Sequence, residues 1–187
     1  TPITHVIDLG ANVGLFSVFA RMRWPTSRIL AVEPDFATYE MLVDNVAGLG
    51  IETLRAAFGA PGMATVSKPG GHFFERHYTT TDSTVTRDDA TTAHSVSLVE
   101  LHRRIGGEGK LLLKIDIEGA EHLLLAQPEL GAAVLQYASA IAMEVHPPLD
   151  EFPRWFEQLL APTHWVTTLN TKPRSYVMHA VKRGWTL

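Results

Sequence analysis

Residues 6–17, "VIDLGANVGLFS", form an apolar run that ends in an acid and passes through Gly-Ala-Asn-Val-Gly into a second apolar stretch with helical spacing. A strand that enters a helix through glycines leaves free N–H groups at the helix start and lets a ligand approach the backbone. This restricts the fold more than any other feature, because such a strand–turn–helix is the opening of a βαβ unit. The rest of the chain repeats the alternation. Short apolar runs at His5–Leu9, Arg28–Glu33, Glu52–Phe58, Lys110–Asp116 and Ala138–His146 read as strands. Helical spacing at Val13–Trp24, Phe36–Leu49, Leu98–Ile105 and Gly119–Ala126 fills the connections. Asp150–Leu160 reads as a further helix with Pro153 in its first turn, where proline is tolerated. His164–Leu169 and Ser175–Val181 then read as two strands joined by "NTKPR", a link that only antiparallel neighbours permit. The expected fold is α/β: a doubly wound, mostly parallel seven-stranded sheet closed by a C-terminal antiparallel hairpin.

With 187 residues and 45% apolar content the chain supports one sizeable core, so a single domain spanning residues 1–187 is expected. One connection breaks the rhythm. Residues 59–97 turn polar and threonine-rich, a length that marks either a functional lid or a poorly ordered segment, with a short alternating stretch near Met63–Lys68. A formal net charge of −4 supplies no clustered basic field, which argues against nucleic acid and anionic membranes as partners. The absence of cysteine excludes thiol nucleophiles, disulfides and Cys-ligated zinc. The most apolar run, Val134–Val145, is too short to cross a bilayer and contains Gln136 and Ser139. No basic, apolar and small-residue leader opens the sequence, although a start at Thr1 without a methionine is compatible with a removed leader, and a cytoplasmic location is the default expectation.

The opening turn reads Asp8-x-Gly10-Ala11-Asn12-x-Gly14, without the central glycine of the dinucleotide pattern Gly-x-Gly-x-x-Gly. A carboxylate at the strand end disfavours a pyrophosphate and favours a ligand that carries positive charge. About twenty residues further on, "AVEP" places Glu33 and Pro34 at the end of the second strand, where an acid takes ribose hydroxyls. An adenosine joined to a cation without a pyrophosphate describes S-adenosylmethionine. Each residue also has a plainer reading: Asp8-Leu9-Gly10 as an ordinary tight turn, Glu33 as a solvated strand end.

The runs "VIDLGANVGLFS", "VEPDFATYEMLVDNV", "AAFG", "LLLKIDIEGAEHLLL" and "AMEVHP", in this order and spacing, resemble the FkbM family of S-adenosylmethionine-dependent methyltransferases. The resemblance covers about residues 5–148, and its most specific part is Lys-Ile-Asp-Ile-Glu-Gly-Ala-Glu. It implies a class I methyltransferase (Rossmann-like) fold and methyl transfer, usually to a hydroxyl of a sugar or secondary metabolite. It also implies that Asp8, Gly10, Ala11, Asn12 and Gly14 form the cofactor turn, that Glu33 with Pro34 holds the ribose, and that Ala57 and Phe58 lie beside the adenine; Asp116, nearest the expected methyl, is counted with the cofactor-binding residues. Two features depart from the family. Val99 in "VSLVELHRR" stands where an aspartate is usual. The first strand starts almost at residue 1, so the helices that often cover cofactor and acceptor are either trimmed away or replaced by a partner.

A second group of residues stands at the far ends of the fourth and fifth strands. Strand alternation sets Leu112, Lys114 and Asp116 on one side, and Ala140, Ala142, Glu144 and His146 on the matching side of the next strand. A central parallel strand is apolar on both faces, and an unpaired buried ammonium is costly, so Lys114 needs a partner; Glu144 and Asp116 are the expected ones. With Glu118 these residues gather an acid–base set at the carboxyl edge. An alcohol must lose its proton as it attacks the methyl, and a positioned base contributes roughly 10²–10⁴-fold; Asp116 and His146 are the candidates, with Lys114 and Glu144 beside them. Plainer roles stand alongside: Asp116 as a helix cap, Glu118 and Glu121 as dipole partners, His146 as an exposed strand end. Carboxylates with one imidazole also suit a divalent ion, although the spacing fits no dedicated metal motif and none is assigned. The other histidines (His72, His77, His94, His102, His122, His164, His179) read as core or surface residues, and the aromatics Phe73, Phe74, Tyr78, Phe152, Trp155 and Phe156 as packing or acceptor-pocket residues. A nicotinamide-dependent oxidoreductase and a non-catalytic cofactor-binding scaffold are the alternative functions.

Overall fold

The computed structural model describes residues 2–67, 77–81, 92–118, 121, 128–146, 152–172 and 175–185. Eleven strands are found among them: β1 His5–Leu9, β2 Arg28–Val32, β3 Glu52–Leu54, β4 Ala57–Phe58, β5 Gly62–Ser67, β6 His77–Thr81, β7 Thr92–Val96, β8 Leu111–Ile115, β9 Ala138–Val145, β10 His164–Lys172 and β11 Ser175–Lys182. Five helices accompany them: α1 Leu15–Arg23, α2 Phe36–Asn45, α3 Leu98–Arg104, α4 Pro128–Tyr137 and α5 Phe152–Leu160. The main sheet has seven strands in the order β10-β11-β9-β8-β1-β2-β3. Strands β3, β2, β1, β8 and β9 run parallel, and β11 is antiparallel to both β9 and β10. The strand order reverses at β1 and β8, the switch point at which such sheets bind ligands.

Alternation divides the sheet into two faces. Ile7, Leu9, Leu113, Ile115 and Met143 pack with Leu98, Leu101, Val134, Phe156 and Leu160 from α3, α4 and α5. Val6, Ile29, Leu112 and Ala140 pack with Ala20 of α1 on the other face. Local chemistry sets the helix starts. Asp35 accepts the Thr38 N–H at 2.9 Å and so caps α2, while Ser97 and Glu100 form a reciprocal capping box at α3. Gly14, at φ 90°, begins α1 where a Cβ would lie 2.7 Å from Leu42 Cδ1 of α2. That close approach of the two helices explains the second glycine of the turn.

Two readings of the sequence need correction. The run Glu52–Phe58 is two strands: β3 ends the main sheet, and β4 belongs to a separate four-stranded sheet ordered β4-β7-β5-β6. A run of β-forming residues does not reveal that Arg55-Ala56 breaks it between two sheets. Much of the insertion at 59–97 builds that second sheet: β7 pairs in parallel with β4 and antiparallel with β5. Helix α4 was also not anticipated, because the apolar stretch from Val134 onward hid a helix end directly abutting β9. The helix expected at Gly119–Ala126 lies outside the described residues. No helix among the described residues is long and apolar enough to cross a membrane.

Candidate active site

At the switch point the turn after β1 is pressed against the end of β8. Gly10, at φ 71°, is a position where a Cβ would stand 1.7 Å from the Asp116 carbonyl oxygen, so only glycine fits. Gly10 and Ala11 donate their N–H groups to the Val32 carbonyl at 3.0 and 2.9 Å, which ties the turn to the end of β2. Asn12 takes φ 51° and donates its N–H to Glu33 Oε2 at 3.0 Å, while Glu33 Oε1 accepts the Asp35 N–H at 2.9 Å. Glu33 is buried and held by two backbone donors, one from the turn after β1 and one from the segment after β2. Beside it a narrow apolar crevice is lined by Leu9, Gly10, Pro34, Ala57, Phe58 and Ile117. Gly14 gives α1 no side-chain cap, so nothing of its own covers the N–H groups of the first turn.

Asp8 stands apart from this crevice. It is fully buried, its Oδ2 accepts from Ser17 Oγ at 2.7 Å, and its Oδ1 lies 3.2 Å from Lys114 Nζ. The charge that argued for a cationic ligand is therefore matched from within. Lys114 lies 3.5 Å from Asp116 Oδ2, one of the two partners expected for it. Its nearer carboxylate is Asp8, which the sequence reading overlooked. A central strand has two flanks, and in the register Lys114 faces Asp8 on β1 and Ala142 on β9; Glu144, two residues further along β9, is turned to His146 instead. Lys114 also donates to the Gly10 carbonyl at 2.7 Å. Burial works against its charge, but Asp8 and then Asp116 outweigh it and hold its pKa above the ordinary lysine value.

At the rim the chain turns through Glu118, a non-glycine residue at φ 52°. Glu121, fully buried, accepts from the Ile117 N–H at 3.3 Å and from His146 Nδ1 at 3.0 Å through the same oxygen. The other ring nitrogen, Nε2, faces Glu118 Oε2 at 3.5 Å, Asp116 Oδ1 at 3.7 Å and Glu144 Oε1 at 4.0 Å. Burial alone would depress the His146 pKa; the hydrogen bond and charge of Glu121, with Glu118 and Asp116, overcome it and raise the pKa to about 9. Glu118 is pushed up to about 7, first by burial and then by Asp116, Glu121 and Glu144, against the pull of His146. Ligand-type atoms of Asp116, Glu144 and His146 lie within 4.8 Å of one another. With a carboxylate near each ring nitrogen, His146 is favoured as an imidazolium at neutral pH so long as no metal binds.

The structure thus brings together Lys114, Asp116, Glu144 and His146, and separately Gly10, Ala11, Asn12, Glu33, Pro34, Ala57 and Phe58. The sequence reading gave Glu121 only a helix-dipole role; no spacing rule reveals that a buried acid clamps two strand ends. Val99, where the family pattern has an aspartate, is 40% exposed on the first turn of α3. Phe73, Phe74, His72, His122 and the Pro147-Pro148 pair lie outside the described residues, and the side chains of His77, Tyr78 and Phe152 are not described.

Comparison with known proteins agrees with this architecture. "Methyltransferase sdnD" from Sordaria araneosa is 43% identical over 42 residues, 22% of this chain and 16% of that protein. The crystal structure of "Methyltransferase FkbM" from Methylobacillus flagellatus KT superposes with a TM-score of 0.61 at 13% identity, over 95% of this chain and 43% of that one. The precorrin-6y C5,15-methyltransferase of Geobacter metallireducens GS-15 superposes with a TM-score of 0.54 at 15% identity, over 97% of this chain and 82% of its own. At these identities the two structures show a shared fold. The chain spans less than half the length of the first two relatives. Residues 8–169 match the model of the methyltransferase FkbM domain, well over half of the sequence, and the chain belongs to that family.

Proposed function

We propose that this domain binds S-adenosylmethionine at the switch point and transfers its methyl group to a hydroxyl oxygen of a small-molecule, sugar or secondary-metabolite acceptor. The observation that carries the cofactor reading is Glu33. The Asn12 and Asp35 N–H groups hold its carboxylate at the carboxyl end of β2, where an acid takes ribose hydroxyls, and the crevice beside it is narrow and apolar, as an adenine requires. The uncapped first turn of α1 suits the cofactor's carboxylate. When bound, the cofactor supplies an electrophilic methyl on a positive sulfur. The chain's own part is to hold the acceptor in line, which can supply roughly 7–11 kcal/mol, and to receive its proton. The rim of Asp116, Glu118, Glu144 and His146 supports an oxygen acceptor, because a hydroxyl is inert until a base assists it. The same acids disfavour phosphate-rich acceptors such as nucleic acid. Family membership sets the oxidoreductase reading aside.

Titration calorimetry with S-adenosylhomocysteine tests the cofactor site. The expected outcome is a saturable heat for the native protein and an affinity at least about tenfold weaker, or 1.4 kcal/mol, for Glu33→Gln. No binding by the native protein would sink the reading. Mass spectrometry of a metabolite library incubated with methyl-labelled cofactor tests the acceptor; binding without any methylated product would favour a non-catalytic scaffold.

A further inference from the structure

Three groups at the rim could receive a proton from a hydroxyl acceptor, and their surroundings divide them. His146 holds Glu121 through Nδ1 and turns Nε2 toward three carboxyl groups, so it carries a proton already and has no free lone pair. Asp116 has a cationic group at each oxygen, the Lys114 ammonium 3.5 Å from Oδ2 and His146 Nε2 3.7 Å from Oδ1. Glu118 has one cationic neighbour among the described residues, His146, with Nε2 3.5 Å from Oε2. No lysine or arginine pairs with it among the described residues, and its charged neighbours are His146 and Glu144 from β9 and Asp116 and Glu121 from its own segment. It is a third exposed, open to an incoming molecule, and it follows Ile117, a wall of the cofactor crevice.

Its backbone adds a separate observation. A glutamate at φ 52° is held in a region that disfavours side chains of its size, and such strain concentrates at sites where a side chain must be aimed. Here the turn is fixed on both sides: by the Asp116 N–H donating to the Leu9 carbonyl at 3.1 Å, and by Glu121 taking the Ile117 N–H.

We propose that Glu118, in place of Asp116 or His146, is the group that receives the acceptor's proton, with His146 and Glu121 as positioning residues that hold it at the rim. The inference rests on the methyltransferase reading above. As the acceptor oxygen forms its bond to the methyl carbon, the carbon–sulfur bond breaks with its electron pair passing to sulfur, and the O–H proton moves to the Glu118 carboxylate. The positive charge of the sulfonium and the negative charge of the carboxylate disappear together, and water later takes the proton. The elevated pKa of Glu118, about 7, suits a group that both takes and returns a proton near neutrality.

The test combines a readout without turnover and one with it. Infrared difference spectra of the protein labelled with ¹³C-carboxyl glutamate should show a carboxyl band titrating near pH 7 that Glu118→Gln removes; absence of such a band between pH 6 and 8 would overturn the assignment. Glu118→Gln should bind S-adenosylhomocysteine within about threefold of the native protein and methylate the acceptor found by the labelled-cofactor screen about 10²–10⁴-fold more slowly. Native turnover in Glu118→Gln would overturn the role of Glu118 alone, whereas failure of the native protein to bind S-adenosylhomocysteine would overturn the function on which it depends. His146→Gln should lower turnover and shift the pH–rate inflection, since removing the imidazolium leaves Glu118 among acids only; an unshifted inflection would deny His146 its positioning role.

Discussion

Two charged assemblies lie on the same face of the same sheet, a few residues apart, and they are built on opposite terms. Around Lys114 one ammonium is engaged on every side: Asp8 and Asp116 flank it, Ser17 donates to Asp8, and backbone carbonyls take the remaining protons. Around His146 four acids share one imidazolium, and burial, followed by the surplus of acids, raises the pKa of Glu118. The first arrangement lets a buried strand carry charge without becoming reactive. The second keeps a proton loosely held where a substrate could reach it. The closely engaged lysine serves the architecture, and the more acidic group beside it is the one proposed for chemistry.

The sharpest way to break this contrast is to unbalance the first assembly. Lys114→Met leaves Asp8 buried without its counter-charge and should cost about 3–5 kcal/mol in urea unfolding, while the double variant Lys114→Met/Asp8→Asn should recover a good part of it. A single variant as stable as the native protein would show that the pair is not what holds the two strands' polar groups in the core. The second assembly should respond in the other direction. Glu118 has a folded pKa raised above its unfolded value, so its contribution to stability is present at pH 4 and lost as the pH rises through about 7. Glu118→Gln removes that loss and should be the more stable protein at pH 8, the two denaturant midpoints converging toward pH 4. His146 also has a raised pKa, so its contribution is complete below about pH 6 and fades as the pH rises through about 9. The stability gap between native protein and His146→Gln should close over that window. The smallest expected effect is none: melting temperature and turnover should be unchanged by excess EDTA or added magnesium, and a metal-dependent rise in either would mean that Asp116, Glu144 and His146 serve a cation.

Much of the fold could be read from the periodicity of particular segments. β1 falls on the residues expected, and β2, β8 and β9 end within a residue or so of them, because buried parallel strands are continuous apolar runs that polar residues bound. The hairpin β10–β11 followed from the length of its link alone. What failed was any feature decided by partners distant in sequence. Residues 52–58 look like one strand since nothing local states that Leu54 pairs with Val32 and Phe58 with Val96. The turn after β1 was legible because the positive φ of Gly10 and Gly14 is a local demand, whereas their close approaches to Asp116 and Leu42 are not local. The Asp8–Lys114 pair was half legible: the misplaced lysine announced that a partner existed, but choosing between two neighbouring strands required the register. Glu118 and Glu121 stand three apart in the sequence and differ only in where the turn sends them, one to the rim and one into the core, and no spacing rule distinguishes such a pair.

The contact between Gly10 and the Asp116 carbonyl sets the gauge of this device. Main chain meets main chain there, with no side chain between them to lengthen or shorten. The span from the turn after β1 to the rim at Asp116 is thus a fixed dimension of the scaffold, and any change in what the rim meets must come from the loops and strands around it.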